Sequence, residues 1–135
     1  MKSAIPLPRK SKLIMRTIML VDDSATILMS ISNILTKAGY AVEKASDATA
    51  GLAAFKRGIK VDLLITDLNM PGMNGVEFIR EVRTLPNYKF MPILFLSTES
   101  QQARRMEAKA AGASGWMVKP TTAEDLLSTI KLVIR

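Results

Sequence analysis

The chain predicts an α/β protein, a parallel sheet covered by helices on both faces. Five short apolar runs alternate with five segments of helical periodicity, the pattern that helical crossovers between parallel strands produce. The runs are almost continuously apolar, as strands buried on both faces are. A length of 135 residues suits one hydrophobic core. With 48% hydrophobic and 23% charged residues, the composition is that of an ordinary globular domain.

Thr17–Val21 is a short apolar run that ends at two aspartates and reads as the first strand. Ser24 to Ala38 places Ile27, Leu28, Ile31, Ile34 and Leu35 on one helical stripe, with Gly39 as its stop. Tyr40–Ala45 reads as a strand, and Ala48–Arg57 as an alanine-rich helix stopped by Gly58. Asp62–Thr66 is the third strand, followed by Asp67 and the loop LNMPGMNG. Val76–Thr84 is a helix with Phe78, Ile79 and Val82 inward. Pro92–Leu96 is a strand and Ser100–Ala111 a helix closed by Gly112. Gly115–Val118 is the fifth strand. Thr122 then caps a last helix that buries Leu126, Leu127, Ile130 and Val133.

The net charge of +7 is unevenly spread. Lys2, Arg9, Lys10, Lys12 and Arg16 give the first sixteen residues +5, which leaves 14 basic and 12 acidic side chains beyond them. That part is near neutral, so nucleic acid binding is not expected. Residues 1–15 read as a basic, disordered tail with Pro6 and Pro8, and 16–135 as the domain. The sequence has no run of about 18 apolar residues, so no membrane insertion is expected; the expected location is cytoplasmic. There is no cysteine and no histidine. Disulfides, thiolate chemistry and imidazole ligands are excluded, and chemistry falls to carboxylates, hydroxyls, Lys, Arg and backbone.

Ligands of open parallel sheets sit beyond the carboxyl ends of the strands. Four strands end there in polar groups: Asp22 and Asp23 on the first, Asp67 on the third, Ser97 and Thr98 on the fourth, Lys119 on the fifth. Singly, each has a plainer role as a cap, a turn residue or a solvated lysine. Together they make a site. Crowded carboxylates repel one another, and a hard divalent cation such as Mg²⁺ relieves the repulsion. A carboxylate is also a nucleophile toward phosphorus, with a lysine and a hydroxyl to receive the transferred group.

These residues resemble the receiver domains of two-component response regulators, most of all the stand-alone chemotaxis-type members. The matching segments are MLVDDS at 19–24, LLITDLNMPGMNG at 63–75, PILFLSTES at 92–100 and GASGWMVKP at 112–120, within a resemblance that spans about 16–135. Intervals of 44 residues from Asp23 to Asp67, 30 from Asp67 to Ser97 and 22 from Ser97 to Lys119 fit that type without a gap. The resemblance implies a flavodoxin-like, doubly wound five-stranded parallel sheet of order 2-1-3-4-5 with five helices. It implies Asp67 as phosphoacceptor and Asp22, Asp23, Asp67 and the backbone carbonyl of Asn69 as Mg²⁺ ligands. Lys119 is implied as the phosphate's partner, with a cis bond to Pro120. Ser97 and Trp116 are implied as the switch pair, although the family more often has Tyr or Phe where Trp116 stands.

The expected function is that of a single-domain response regulator, a signalling phosphoacceptor rather than an enzyme. A histidine kinase's phosphohistidine is the donor. The surface of the fourth and fifth helices and fifth strand addresses a protein such as a flagellar motor switch or a relay protein, with Arg104, Arg105, Lys109 and Trp116 on it and Met106 beside the arginines. A monomer is expected. The alternatives are a phosphorelay intermediate or phosphate sink, and an aspartyl-phosphate phosphatase or phosphotransferase. Such enzymes of the haloacid-dehalogenase type want an Asp-x-Asp pair after the first strand, whereas Asp22 and Asp23 are adjacent.

Overall fold

The computed structural model describes residues 15–98 and 103–134. The strands are β1 (Thr17–Val21), β2 (Ala41–Ala45), β3 (Leu63–Thr66), β4 (Ile93–Ser97) and β5 (Gly115–Val118). The helices are α1 (Ala25–Lys37), α2 (Ala48–Lys56), α3 (Gly75–Thr84), α4 (Arg105–Ala111) and α5 (Ala123–Val133). All strand pairs are parallel and the order is β2-β1-β3-β4-β5, as the resemblance implied.

Successive residues of a strand face opposite ways, and here both ways lead into a core. Met19, Val21, Leu64, Ile93 and Phe95 join one core with α2, α3 and α4. Ile18, Leu20, Leu63, Ile65, Leu94 and Leu96 join the other with α1 and α5. That is why the strands read as apolar runs. Phe55, Phe78 and Phe95 are the largest side chains shut away from water, each contributing roughly 2–3 kcal/mol of burial.

Local caps set the helix starts. Ser24 accepts from the Ile27 N–H and starts α1, and Asp47 accepts from the Ala50 N–H and starts α2. Asn74 and Glu77 form a reciprocal capping box on α3, and Thr122 caps α5 as its position predicts. Gly112 ends α4 with φ +116°, a conformation that favours glycine.

The differences from expectation are small. Pro86–Tyr88 forms a 3₁₀ turn that the sequence pattern did not announce, with buried Tyr88 donating its hydroxyl to the Ile59 carbonyl at 2.6 Å. Leu127 and Val133 are only partly buried, because α5 turns its Leu126–Ile130 stripe to the sheet. The expected start of the fourth helix at Ser100 lies outside the described residues, as does the tail through residue 14. Arg16 is tied to the domain by a 3.5 Å ion pair with Asp62. Among the described residues, no helix is long and apolar enough to cross a membrane.

Candidate functional site

Sheet order reverses between β1 and β3, and the crevice at such a point is where open α/β sheets hold ligands. The strand ladders deliver the polar residues to it. The Asp22 N–H donates to the Ala45 carbonyl at 3.2 Å, and the Asp67 N–H to the Val21 carbonyl at 2.9 Å. The Lys119 N–H donates to the Ser97 carbonyl at 2.7 Å, so β4 sets the height at which the lysine leaves β5. The Lys119–Pro120 peptide is cis.

The side chains then converge. Lys119 Nζ lies 3.0 Å from Asp22 Oδ2 and 3.2 Å from Asp67 Oδ1. Asp22, Asp23 and Asp67 each place a carboxylate oxygen within 4.8 Å of the others. Asp22 and Asp67 are buried, and Asp23 is exposed at the mouth. The other oxygen of Asp22 accepts from the Ser24 N–H at 2.9 Å, and Asp67 Oδ1 also accepts from the Leu68 N–H at 2.9 Å. Both bonds turn the carboxylates to fixed angles.

Electrostatics follow from this crowding. Burial, reinforced by the neighbouring Asp22 charge, holds the Asp67 carboxyl above its ordinary range, against the pull of Lys119. For Lys119, burial works to lower its pKa, but the hydrogen bonds and charges of Asp22 and Asp67 outweigh it and the net shift is upward. Three carboxylates meet one ammonium, a residual charge of about −2 when all are ionised. A hard divalent cation with oxygen ligands fits that residue of charge and the one exposed carboxylate at the entrance.

Asn69 is exposed two residues past Asp67, where its expected contribution is its backbone carbonyl. Ser97 is fully buried at the end of β4, and its Oγ has no hydrogen-bond partner among the described residues; Thr98 beside it is exposed. Trp116 stands on β5 with its ring centroid 5.7 Å from that of Phe95 and 6.0 Å from the Arg105 guanidinium carbon. It lines a groove of about 520 Å³ between α4 and β5, together with Arg105, Met106 and Lys109.

Two contributors have little or no sequence signature. The Leu68 N–H is backbone, which no residue type announces. Arg83 reads as a cation at the end of α3, but its guanidinium donates to the carbonyls of Tyr88, Lys89 and Gly112 at 2.7, 3.1 and 2.7 Å. It thereby ties the approaches to β4 and β5 together. Gly75, at the start of α3, has no room for a side chain: a Cβ there would collide with the Asp67 carbonyl oxygen and come within 2.7 Å of the Phe95 ring. Gly75→Ala is expected to lower stability by about 2–3 kcal/mol through this overpacking. A urea midpoint equal to that of the parent would show that the loop yields instead.

The fold, the switch-point crevice and the three-carboxylate cluster with its lysine define a receiver domain. The response regulator receiver domain model matches residues 18–131, and the chain belongs to that family. Within it the chain is CheY-like, a component of two-component signalling. It is 37% identical to the chemotaxis protein CheY of Pseudomonas aeruginosa over 117 residues, 86% of this chain and 94% of that one. The solved structure of CheY4 of Vibrio cholerae superposes with a TM-score of 0.85 at 44% identity, covering 90% of this chain and all of that one. The receiver domain of a Pseudomonas aeruginosa sensor histidine kinase, solved with magnesium in its active site cleft, superposes with a TM-score of 0.82. It is 25% identical, over 90% of this chain and 98% of that one.

Proposed function

We propose that the chain is a single-domain response regulator that takes a phosphoryl group onto Asp67 and thereby alters a protein-binding surface. The observation that carries this reading is the bridge of Lys119 between Asp22 and Asp67, with Asp23 completing the acidic cluster. Asp67 Oδ1 is held by the Leu68 N–H and Lys119, which leaves Oδ2 to attack. An Oδ2 lone pair forms the new O–P bond as the N–P bond of a phosphohistidine breaks. The departing imidazole keeps that electron pair and takes a proton from solvent. Lys119 pairs with a phosphoryl oxygen, and the Ser97 hydroxyl donates to another. Asp22, Asp23, Asp67 and the Asn69 carbonyl hold Mg²⁺ in this reading, and the ion supplies positive charge for the phosphoryl oxygens when bound.

The donor is a histidine kinase, and the output is a downstream protein such as a motor switch or relay protein, reached by a cytoplasmic monomer. The groove beside Trp116 supports the α4–β5 face as the surface read by that partner. It joins the cations Arg105 and Lys109 to apolar Met106, which is 78% exposed. Trp116 fluorescence tests the metal site. Asp23→Ala is expected to raise the Mg²⁺ concentration at half-change by about tenfold or more, the scale on which metal sites respond to loss of a supporting group. Identical titrations of variant and parent would place the metal elsewhere.

A further inference from the structure

Thr66 is fully buried at the end of β3, one residue before Asp67. By alternation it faces the same way as Leu64, into the core that α2, α3 and α4 cover. Its hydroxyl donates to the Asp67 carbonyl at 3.0 Å. That carbonyl belongs to the same peptide unit as the Leu68 N–H, which donates to Asp67 Oδ1 at 2.9 Å. A trans peptide is planar, so its carbonyl and N–H turn together and point opposite ways. Thr66 thus holds one end of the unit whose other end fixes the carboxylate oxygen. The start of α3 presses on the same stretch. The Gly75 N–H donates to the Leu68 carbonyl at 2.7 Å, and Gly75 lies so close to the Asp67 carbonyl that a Cβ would collide with it.

We propose that Thr66 is a positioning residue for phosphoryl transfer. Its hydroxyl, acting through the 67–68 peptide, holds the Leu68 N–H on Asp67 Oδ1 and so keeps Oδ2 turned toward the incoming phosphorus. The proposal rests on Asp67 as the acceptor. A plainer role, satisfying a buried carbonyl, uses the hydroxyl for stability alone. The positioning role adds that attack slows without the hydroxyl even in the folded protein, because a small misplacement of a reacting group is costly in rate. Valine has the shape of threonine and no donor, whereas serine keeps the donor. The pair therefore separates the hydrogen bond from the packing.

The parent, Thr66→Val and Thr66→Ser are loaded with acetyl phosphate at saturating Mg²⁺, well below their melting temperatures, and the adduct is followed by intact mass. Thr66→Val is expected to form it about tenfold more slowly, within the range that misplacement of a reacting group produces. Thr66→Ser recovers most of the rate. The Leu68 amide gives the local reading by NMR. In Thr66→Val its hydrogen exchange is expected to speed up about fivefold relative to the Asp67 N–H, the factor set by a hydrogen bond of ordinary net strength. The Asp67 N–H is the reference because it is bonded to the Val21 carbonyl and not to the peptide in question. If the valine methyl crowds the carbonyl and the chain does not fold, Thr66→Ala removes the donor without adding a group and carries the same expectations. A folded variant without the hydroxyl that is labelled at the parent's rate overturns the proposal and leaves Asp67 as the acceptor. So does a slowed variant whose Leu68 amide is unchanged, or a serine variant as slow as the valine one. A parent that takes no phosphoryl group overturns both readings.

Discussion

Asp67→Asn is expected to abolish the single phosphoryl adduct that the parent forms with acetyl phosphate and Mg²⁺, as read by intact mass. The amide oxygen is a poor nucleophile, and the neighbouring carboxylates do not replace it. Asp22 is buried and holds Lys119 and the Ser24 N–H, and Asp23 is at the solvent-facing mouth. Only Asp67 is both buried and fixed on one oxygen by a backbone donor and the lysine. The same substitution is expected to raise stability in metal-free buffer. It removes a charge that burial and Asp22 disfavour, as is common where function and stability compete. An undiminished adduct on the variant would remove Asp67 from the mechanism.

Lys119→Ala has the opposite effect on stability. It leaves the carboxylates of Asp22 and Asp67 facing each other without their cation, and with side chains only 1% and 8% exposed they share little of that charge with water. Removing one member of a buried ionic cluster costs about 3 kcal/mol or more, since the remaining charge is uncompensated. Mg²⁺ binds the folded cluster and restores part of this by mass action. The expected result is a low melting temperature without divalent cation and a larger Mg²⁺-dependent rise than the parent shows. Equal melting temperatures with EDTA would mean that the acids are already relieved by some other means.

The sequence carried the site's skeleton because its parts sit at strand ends, where composition changes abruptly. TIMLV gives way to Asp22 and Asp23, LLIT to Asp67, and GWMV to Lys119. The apolar runs were legible because both sheet faces are covered. What stayed hidden depends on tertiary contacts. The turn at Pro86–Tyr88 is held by a hydroxyl bond to Ile59, 29 residues away, which no local pattern encodes. Arg83 looks like any basic helix end until three carbonyls from two other segments surround it. That Ser97 Oγ and the Trp116 indole nitrogen lack a partner among the described residues is likewise a property of packing, since both residue types usually find partners when buried.

The most direct test of the central claim is to locate the phosphoryl group itself. The parent is loaded with acetyl phosphate and Mg²⁺, the acyl phosphate is reduced with borohydride, and the peptides are mapped by mass spectrometry. Reduction marks a phosphorylated aspartate permanently, so the label survives digestion. The account predicts one modified residue, Asp67, with Asp22, Asp23 and the hydroxyls of Ser97 and Thr98 unmodified. A label on Asp22 or Asp23, or none despite a bound phosphoryl group, would contradict it.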